Sequence, residues 1–122
     1  MKLHLARTAS QNTFTGYGEG YVMVNGVRYE ASVIVMPARP VELWNVSSLE
    51  LLDETSASAL VTLGAEVLLI GTGQDLRFPE RHILRALAAA GIGVEIMDTT
   101  AACRTYNILA AEERNVLAAV MV

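Results

Sequence analysis

The clearest alternation of apolar and polar positions lies between residues 21 and 36, in the stretch YVMVNGVRYEASVIVM. Two runs rich in β-branched and aromatic residues flank Asn25-Gly26, and both of these residues tolerate the positive φ of a type I′ turn. We therefore predict a hairpin whose second strand ends before Pro37, because proline donates no hydrogen bond to a sheet. Five side chains of that strand are predicted to share one face: Val27, Tyr29, Ala31, Val33 and Val35.

Helical periodicity follows the hairpin in two places. Ser47 and Glu50 have the spacing of a capping box, and the apolar positions after them predict one helix, or two short ones, across 48–63. Another helix is predicted after Pro79, which suits a first turn, with Gly91 at its C′ position. The buried stripe of that helix is predicted to contain Ile83, Leu84, Leu87 and Ala88.

Short strands then alternate with helices. The runs 66–70 and 94–97 are predicted strands, a helix is predicted from about 100 to 113, and 116–122 is predicted to close the chain as a strand. Sequential strands joined by crossover helices form a parallel or mostly parallel sheet. The predicted fold class is therefore α/β, with three layers, a mixed and mostly parallel sheet, an N-terminal β-hairpin and flanking helices.

Composition indicates one domain with elements buried on both faces. The chain has 122 residues, 52% of them hydrophobic and 18% charged, which suits a sheet covered by helices. We predict a single α/β domain over 1–122, with 1–14 as a loosely ordered N-terminal segment. No secretory signal and no apolar run of membrane-spanning length stands out, so the predicted location is cytoplasmic, with no transmembrane segment.

Net charge and the counts of cysteine and histidine limit which partners and metal sites are expected. The net charge of −4 argues against nucleic acid or an anionic membrane as partner, because both need basic patches. The single cysteine, Cys103, excludes an internal disulfide and a multi-thiolate zinc site. His4 and His82 have no metal-binding spacing, so the sequence predicts no metal and no cofactor.

Glycine and polar residues follow two of the predicted strands, at the edge where α/β sheets collect ligands. One group resembles the start of G-x-G-x-x-G, but Leu76 stands where the third glycine belongs, and the alternative is that these glycines only let the chain turn off the strand. The other group begins a helix on which four polar residues share one face. The candidate pocket or partner surface is Gly71, Thr72, Gly73, Asp98, Thr99, Thr100, Cys103, Arg104 and Asn107.

Two interpretations of this helix stay open. A thiol in the first turn beside an arginine can have its pKa lowered, and the same helix end can hold an anion. Alternatively, Cys103 is a small buried hydrophobe and Asn107 bonds to nearby loop backbone; no residue at a suitable spacing is a base for Cys103, so no catalytic residue is assigned. Because a cation is unfavourable at a helix N-terminus, we expect Arg104 to be partly buried beside an acid. The candidate acids are Asp98, Glu95 and Asp75.

Several phrases, taken together, are specific enough to compare with known families. They are Gly20-Tyr21, 32–37 (SVIVMP), Trp44, 68–73 (LLIGTG) and above all 97–109 (MDTTAACRTYNIL). They resemble the Mth-type domain family of unknown function over about residues 15–122. That family includes small bacterial proteins, the adipogenesis-associated domain protein and a mitochondrial assembly factor of the NADH dehydrogenase alpha subcomplex. One departure is Glu113, where the family phrase A-E-G-R has a glycine.

The resemblance implies a compact α/β fold and, for the mitochondrial relative, an accessory role in assembling respiratory complex I; it brings no catalytic residues. The leading interpretation is a non-enzymatic accessory domain that binds a protein partner, with a homo-oligomer left open. The alternative is a small-molecule or anion-binding domain that uses the crevice, with weak thiol chemistry at Cys103. An exposed apolar patch would favour the first, and a deep polar pocket containing Cys103 and Arg104 would favour the second.

Overall fold

A computed structural model describes residues 11–122, which form two β-sheets and three α-helices. β1, β2 and β3 make an antiparallel sheet, and the other strands make a five-stranded sheet in the order β5-β4-β8-β6-β7. In that sheet β6 runs parallel to β7 and β8, and β4 runs antiparallel to β5 and β8. The elements are β1 (Phe14–Gly18), β2 (Tyr21–Val24), β3 (Val27–Tyr29), β4 (Val33–Val35), β5 (Glu42–Leu43), a 3-10 turn (Leu49–Leu51), α1 (Glu54–Val61), β6 (Val67–Thr72), α2 (Arg81–Ala89), β7 (Gly93–Met97), α3 (Thr99–Ala111) and β8 (Val116–Met121).

The core lies on both faces of the five-stranded sheet. β6 and β8 are nearly continuous apolar runs, as expected for strands covered on two sides. Because successive strand residues point to opposite faces, Leu68 and Ile70 pack with α1 and α2, whereas Leu69 packs with α3 and the small sheet. Burial of each such side chain contributes roughly 1.5–3 kcal/mol. The predicted three-layer α/β fold is confirmed, with parallel pairing confined to the β8-β6-β7 half of its mixed sheet.

The predicted hairpin turn is confirmed. Asn25 and Gly26 have φ of 52° and 79°, between β2 and β3. The prediction of one long second strand is wrong, because β3 stops at Tyr29 and the chain crosses to the other sheet, where β4 pairs with β8. Val27 is consequently exposed while Val33 is fully buried. The alternating pattern runs unbroken through this crossing, so it cannot reveal that the partner strand changes.

The region after Ser47 is helical in two short pieces, which is one of the two predicted alternatives. α1 begins where Oδ1 of Asp53 accepts a hydrogen bond from the backbone N of Ser56 at 2.8 Å. The capping box predicted from Ser47 and Glu50 is wrong. The 3-10 turn has no side-chain cap, and the Glu50 carboxylate pairs with Arg77 instead.

The second helix starts slightly later than predicted. Pro79 is buried just before α2 rather than inside its first turn. Ile83 and Leu87 are buried as predicted, but Leu84 is half-buried and Ala88 is exposed. α2 therefore buries a narrower stripe than its periodicity predicts, because it is an outer layer that meets the rest of the fold on one side.

Only the end of the predicted N-terminal segment 1–14 falls within the described residues, and His4 lies outside them. That end is tied to the fold. The Asn12 side chain donates to the carbonyl of Met36 at 2.9 Å, and the Tyr106 hydroxyl donates to the carbonyl of Asn12 at 2.9 Å. Phe14 is buried and begins β1.

Candidate functional site

The carboxyl ends of β6 and β7 meet the first turn of α3. The backbone N of Thr99 donates to the carbonyl of Gly73 at 2.8 Å, and the backbone N of Gly73 donates to the Thr99 hydroxyl at 2.9 Å. That hydroxyl in turn donates to the carbonyl of Met121 at 2.6 Å. One buried hydroxyl thus joins the ends of β6, α3 and β8 at the predicted strand-end crevice.

Gly71 is required by the packing of this junction. A Cβ there would lie 2.9 Å from both the Thr99 hydroxyl oxygen and a methyl carbon of Val120, and 3.1 Å from the Thr99 Cα. Gly73, with a φ of +95°, occupies a backbone conformation that glycine favours. Each glycine therefore has a structural explanation that needs no bound phosphate.

A small cavity opens beside the junction. Its volume of about 30 Å³ is space for about one water molecule and far below the size of a metabolite site. No charged side chain lines it. Its lining comes from the turn between β1 and β2 and from the strand ends: Tyr17, Gly18, Gly20, Gly73, Gln74, Thr99, Thr100, Met121 and Val122.

The lone thiol lies in the core and not in the crevice. Cys103 is fully buried between α3 and the sheet. Burial, with a smaller contribution from the negative charge of Asp98, raises the pKa of the Cys103 thiol to about 12. The open alternative of a lowered pKa is thereby contradicted. A protonated, inaccessible thiol is neither a nucleophile nor a metal ligand.

Arg104 and Asn107 point away from the crevice as well. Arg104 is exposed and its side chain makes no ion pair or hydrogen bond with any residue of 11–122, so the expected acidic partner is wrong. Oδ1 of Asn107 accepts from the backbone N of Phe14 at 2.9 Å, and its Nδ2 donates to the Phe14 carbonyl at 2.8 Å. Asn107 thus pairs with the edge of β1 as a neighbouring strand would. The predicted polar face of α3 divides among core, solvent and sheet edge.

The remaining predicted residues hold the local backbone. Oδ1 of Asp98 accepts from the backbone N of Ala101 at 2.9 Å and caps α3. The Thr72 hydroxyl donates to the carbonyl of Asp75 at 2.7 Å and accepts from the backbone N of Arg77 at 3.2 Å, which fixes the loop after β6. The structure therefore brings together the 71–73 and 98–100 segments, but leaves Cys103, Arg104 and Asn107 outside the crevice.

An exposed apolar surface formed by this loop and the 3-10 turn was missed from the sequence. The Arg77 guanidinium pairs with the Glu50 carboxylate, bringing the loop beside the 3-10 turn; the pairing holds the pKa of Glu50 below its usual range. Three large apolar side chains flank the pair, namely Leu51, Leu76 and Phe78, exposed by 54%, 52% and 64%. We call these three residues the loop patch. The available signal was two large apolar residues in a turn-like stretch that belongs to no periodic stripe.

Within 11–122 there is no group of three or more His, Cys, Asp or Glu side chains placed to hold a metal ion. Nor is any helix in that part of the chain both long and apolar enough to cross a membrane. Fold and site together define a small two-sheet α/β domain whose strand-end crevice is closed by packing and whose loop patch exposes three large apolar side chains.

The chain belongs to the family described as protein of unknown function (DUF498/DUF598), whose model matches residues 14–121. It is 36% identical over 100 residues to the bovine (Bos taurus) NADH dehydrogenase [ubiquinone] 1 alpha subcomplex assembly factor 3, which covers 80% of this chain. The match covers 54% of that relative, so this chain spans about half the length of the bovine protein.

Solved structures of bacterial relatives have the same fold. A crystal structure from Bordetella parapertussis is 42% identical, with a TM-score of 0.86 over 92% of this chain and 96% of its own. The solution structure of a Mth938-like domain from Bordetella pertussis is 36% identical, with a TM-score of 0.76 over 93% of this chain and 87% of its own. The resemblance to Mth-type domains inferred from the sequence is confirmed.

The backbone at the end of α3 shows how Glu113 is accommodated where the family phrase has glycine. This residue has a φ of 61° immediately after the C-cap of α3. Its backbone N donates to the carbonyl of Ala110, and that of Arg114 donates to the carbonyl of Leu109, the two bonds of a Schellman motif. The helix therefore ends as one with glycine at C′ would, with a glutamate in the left-handed conformation.

Proposed function

We propose that this chain is a non-enzymatic accessory protein that acts by binding another protein. The loop patch carries this proposal, because its three large apolar side chains are each more than half exposed, as is typical of a binding surface. Leu76 and Phe78 lie on the loop fixed by Thr72, and the Glu50–Arg77 pair joins that loop to the 3-10 turn that carries Leu51. The relative named as an assembly factor supports an accessory role. More specifically, we propose that the chain is cytoplasmic and helps to assemble a membrane respiratory complex from the soluble side of that complex.

The alternative of a small-molecule or anion site in the strand-end crevice has no supporting observation in 11–122. The crevice cavity has space for about one water molecule, and the arginine and thiol expected there lie elsewhere. In the proposed function the predicted crevice residues have a structural role and do not bind a ligand. Thr72 anchors the loop that presents the patch, and the junction of Gly71, Gly73 and Thr99 fixes the strand end from which that loop leaves.

Affinity purification at native expression level, followed by mass spectrometry of bound proteins and metabolites, tests the proposal. We expect one protein partner to co-purify reproducibly and in constant ratio. A bound metabolite without a protein partner would contradict the proposal. So would robust turnover of ester, phosphate or nicotinamide substrates that survives repurification.

A further inference from the structure

The charges around the loop patch are strongly one-sided. Five exposed carboxylates lie on the two segments that carry it, whereas only Arg77 and Arg81 oppose them there. Arg77 and Glu50 pair with each other, which leaves four carboxylates against Arg81. The next basic group, His82, lies 3.6 Å from one of the carboxylates. The five are Glu50, Asp53, Glu54, Asp75 and Glu80.

We infer that the loop patch binds a protein segment whose apolar side chains are flanked by lysine or arginine. This inference rests on the proposed function and adds the chemistry of the partner. Apolar anchors on the segment would cover Leu51, Leu76 and Phe78, and its cations would meet the carboxylates around them. Complementary charge at the rim steers association, while the buried apolar centre supplies most of the affinity.

The same charges disfavour two other occupants. An anionic lipid surface would be repelled by the carboxylates around the patch. A second copy of this chain, docked patch to patch, would place like charges opposite one another, because a twofold interface is self-complementary. The fixed loop favours a specific partner, since a surface held in place before binding loses little conformational entropy on association.

The test uses two fluorescently labelled amphipathic helical peptides, one built of leucine and lysine and a matched one with glutamate at every lysine. We expect the leucine–lysine peptide to bind, with amide NMR shifts confined to residues 49–54 and 75–81, and the leucine–glutamate peptide not to bind. Phe78→Ser should weaken binding by roughly tenfold or more, as for a central apolar contact. Asp75→Lys should weaken binding severalfold and reduce its dependence on salt.

Matched control variants are available on α3 and at its C-cap. Ile108 is 60% exposed and Glu112 is also exposed, so Ile108→Ser and Glu112→Lys repeat both changes away from the patch. Both should bind the peptide as the unmodified chain does. Equal binding of the two peptides, equal weakening by Ile108→Ser and Phe78→Ser, or NMR shifts elsewhere would each overturn the inference. Circular dichroism melting checks that all variants are folded.

Two further measurements address the other occupants. Co-sedimentation with phosphatidylglycerol vesicles that Phe78→Ser abolishes, or a dimer in sedimentation analysis that Phe78→Ser disperses, would overturn the inference in favour of lipid or a second copy. Co-purification of the native partner distinguishes failure of this inference from failure of the proposed function. A protein that co-purifies equally with the unmodified chain and with Phe78→Ser defeats the inference alone. Absence of any co-purifying protein defeats the proposed function.

Discussion

Removal of the Thr99 hydroxyl should destabilise the fold strongly, because this group joins three segments of the chain. It accepts from the backbone N of Gly73 and donates to the carbonyl of Met121, and Thr99 is only 8% exposed. Thr99→Val keeps the side-chain shape but leaves both backbone groups without this partner. Each such group costs about 1–3 kcal/mol. We expect the free energy of unfolding to fall by about 2–4 kcal/mol, because the retained backbone bond from Thr99 to Gly73 limits the loss.

The matched control is Thr99→Ser, which keeps the hydroxyl and removes one methyl group, at a cost of about 0.8 kcal/mol. Urea unfolding at constant m-value measures both variants. Thermal melting should agree, with the melting temperature of Thr99→Val lowered by roughly 8–16 °C, since about 1 kcal/mol corresponds to about 4 °C in a domain of this size. If the valine variant is no less stable than the serine variant, the hydroxyl does not hold the three segments together.

Three further outcomes are expected. Burial raises the pKa of the Cys103 thiol to about 12, so the unfolded chain loses this proton at a lower pH than the folded chain does. The free energy of unfolding should therefore fall between about pH 9 and 12, and it should fall less in Cys103→Ala. Urea unfolding across this pH range measures both. In melting experiments the Glu113→Gly variant should be more stable than the Glu113→Ala variant by about 1 kcal/mol, because alanine has a Cβ that is unfavourable in the left-handed conformation and glycine has none. Equal stability of the two variants would contradict this. Asn107→Ala should destabilise the chain by about 1–3 kcal/mol through the lost bonds to Phe14, and unchanged urea unfolding would argue against that structural role.

The sequence predicted which segments meet at the candidate site better than it predicted which side chains face it. That the 71–73 and 98–100 segments meet follows from chain order alone, because parallel strands joined by crossover helices end at the same edge. The outward direction of Arg104 and the inward direction of Cys103 do not follow from their spacing. Residues one position apart lie about 100° apart on a helix, and only the neighbouring elements decide which of them is covered.

The loop patch also could not be predicted from the sequence, because its side chains are exposed where burial would be expected. Leu76 and Phe78 are apolar, and burial is the default expectation for such residues. Thr72 fixes their loop through local hydrogen bonds to Asp75 and Arg77, and the Glu50–Arg77 pair joins the loop to a segment 27 positions away. No local pattern encodes that second contact.

What the sequence by itself determined is local: the Asn25-Gly26 turn, which depends on the φ preferences of two residues, and the strands and helices after residue 66, which depend on short-range periodicity. Only the tertiary structure decided that the strand after the turn divides between two sheets, and that Asn107 closes the edge of β1. The physical reason is that alternation specifies which side chains of a strand face inward, whereas the partner of a strand or side chain depends on residues distant in the chain. Asn107 and Phe14, which are 93 positions apart, are such a pair.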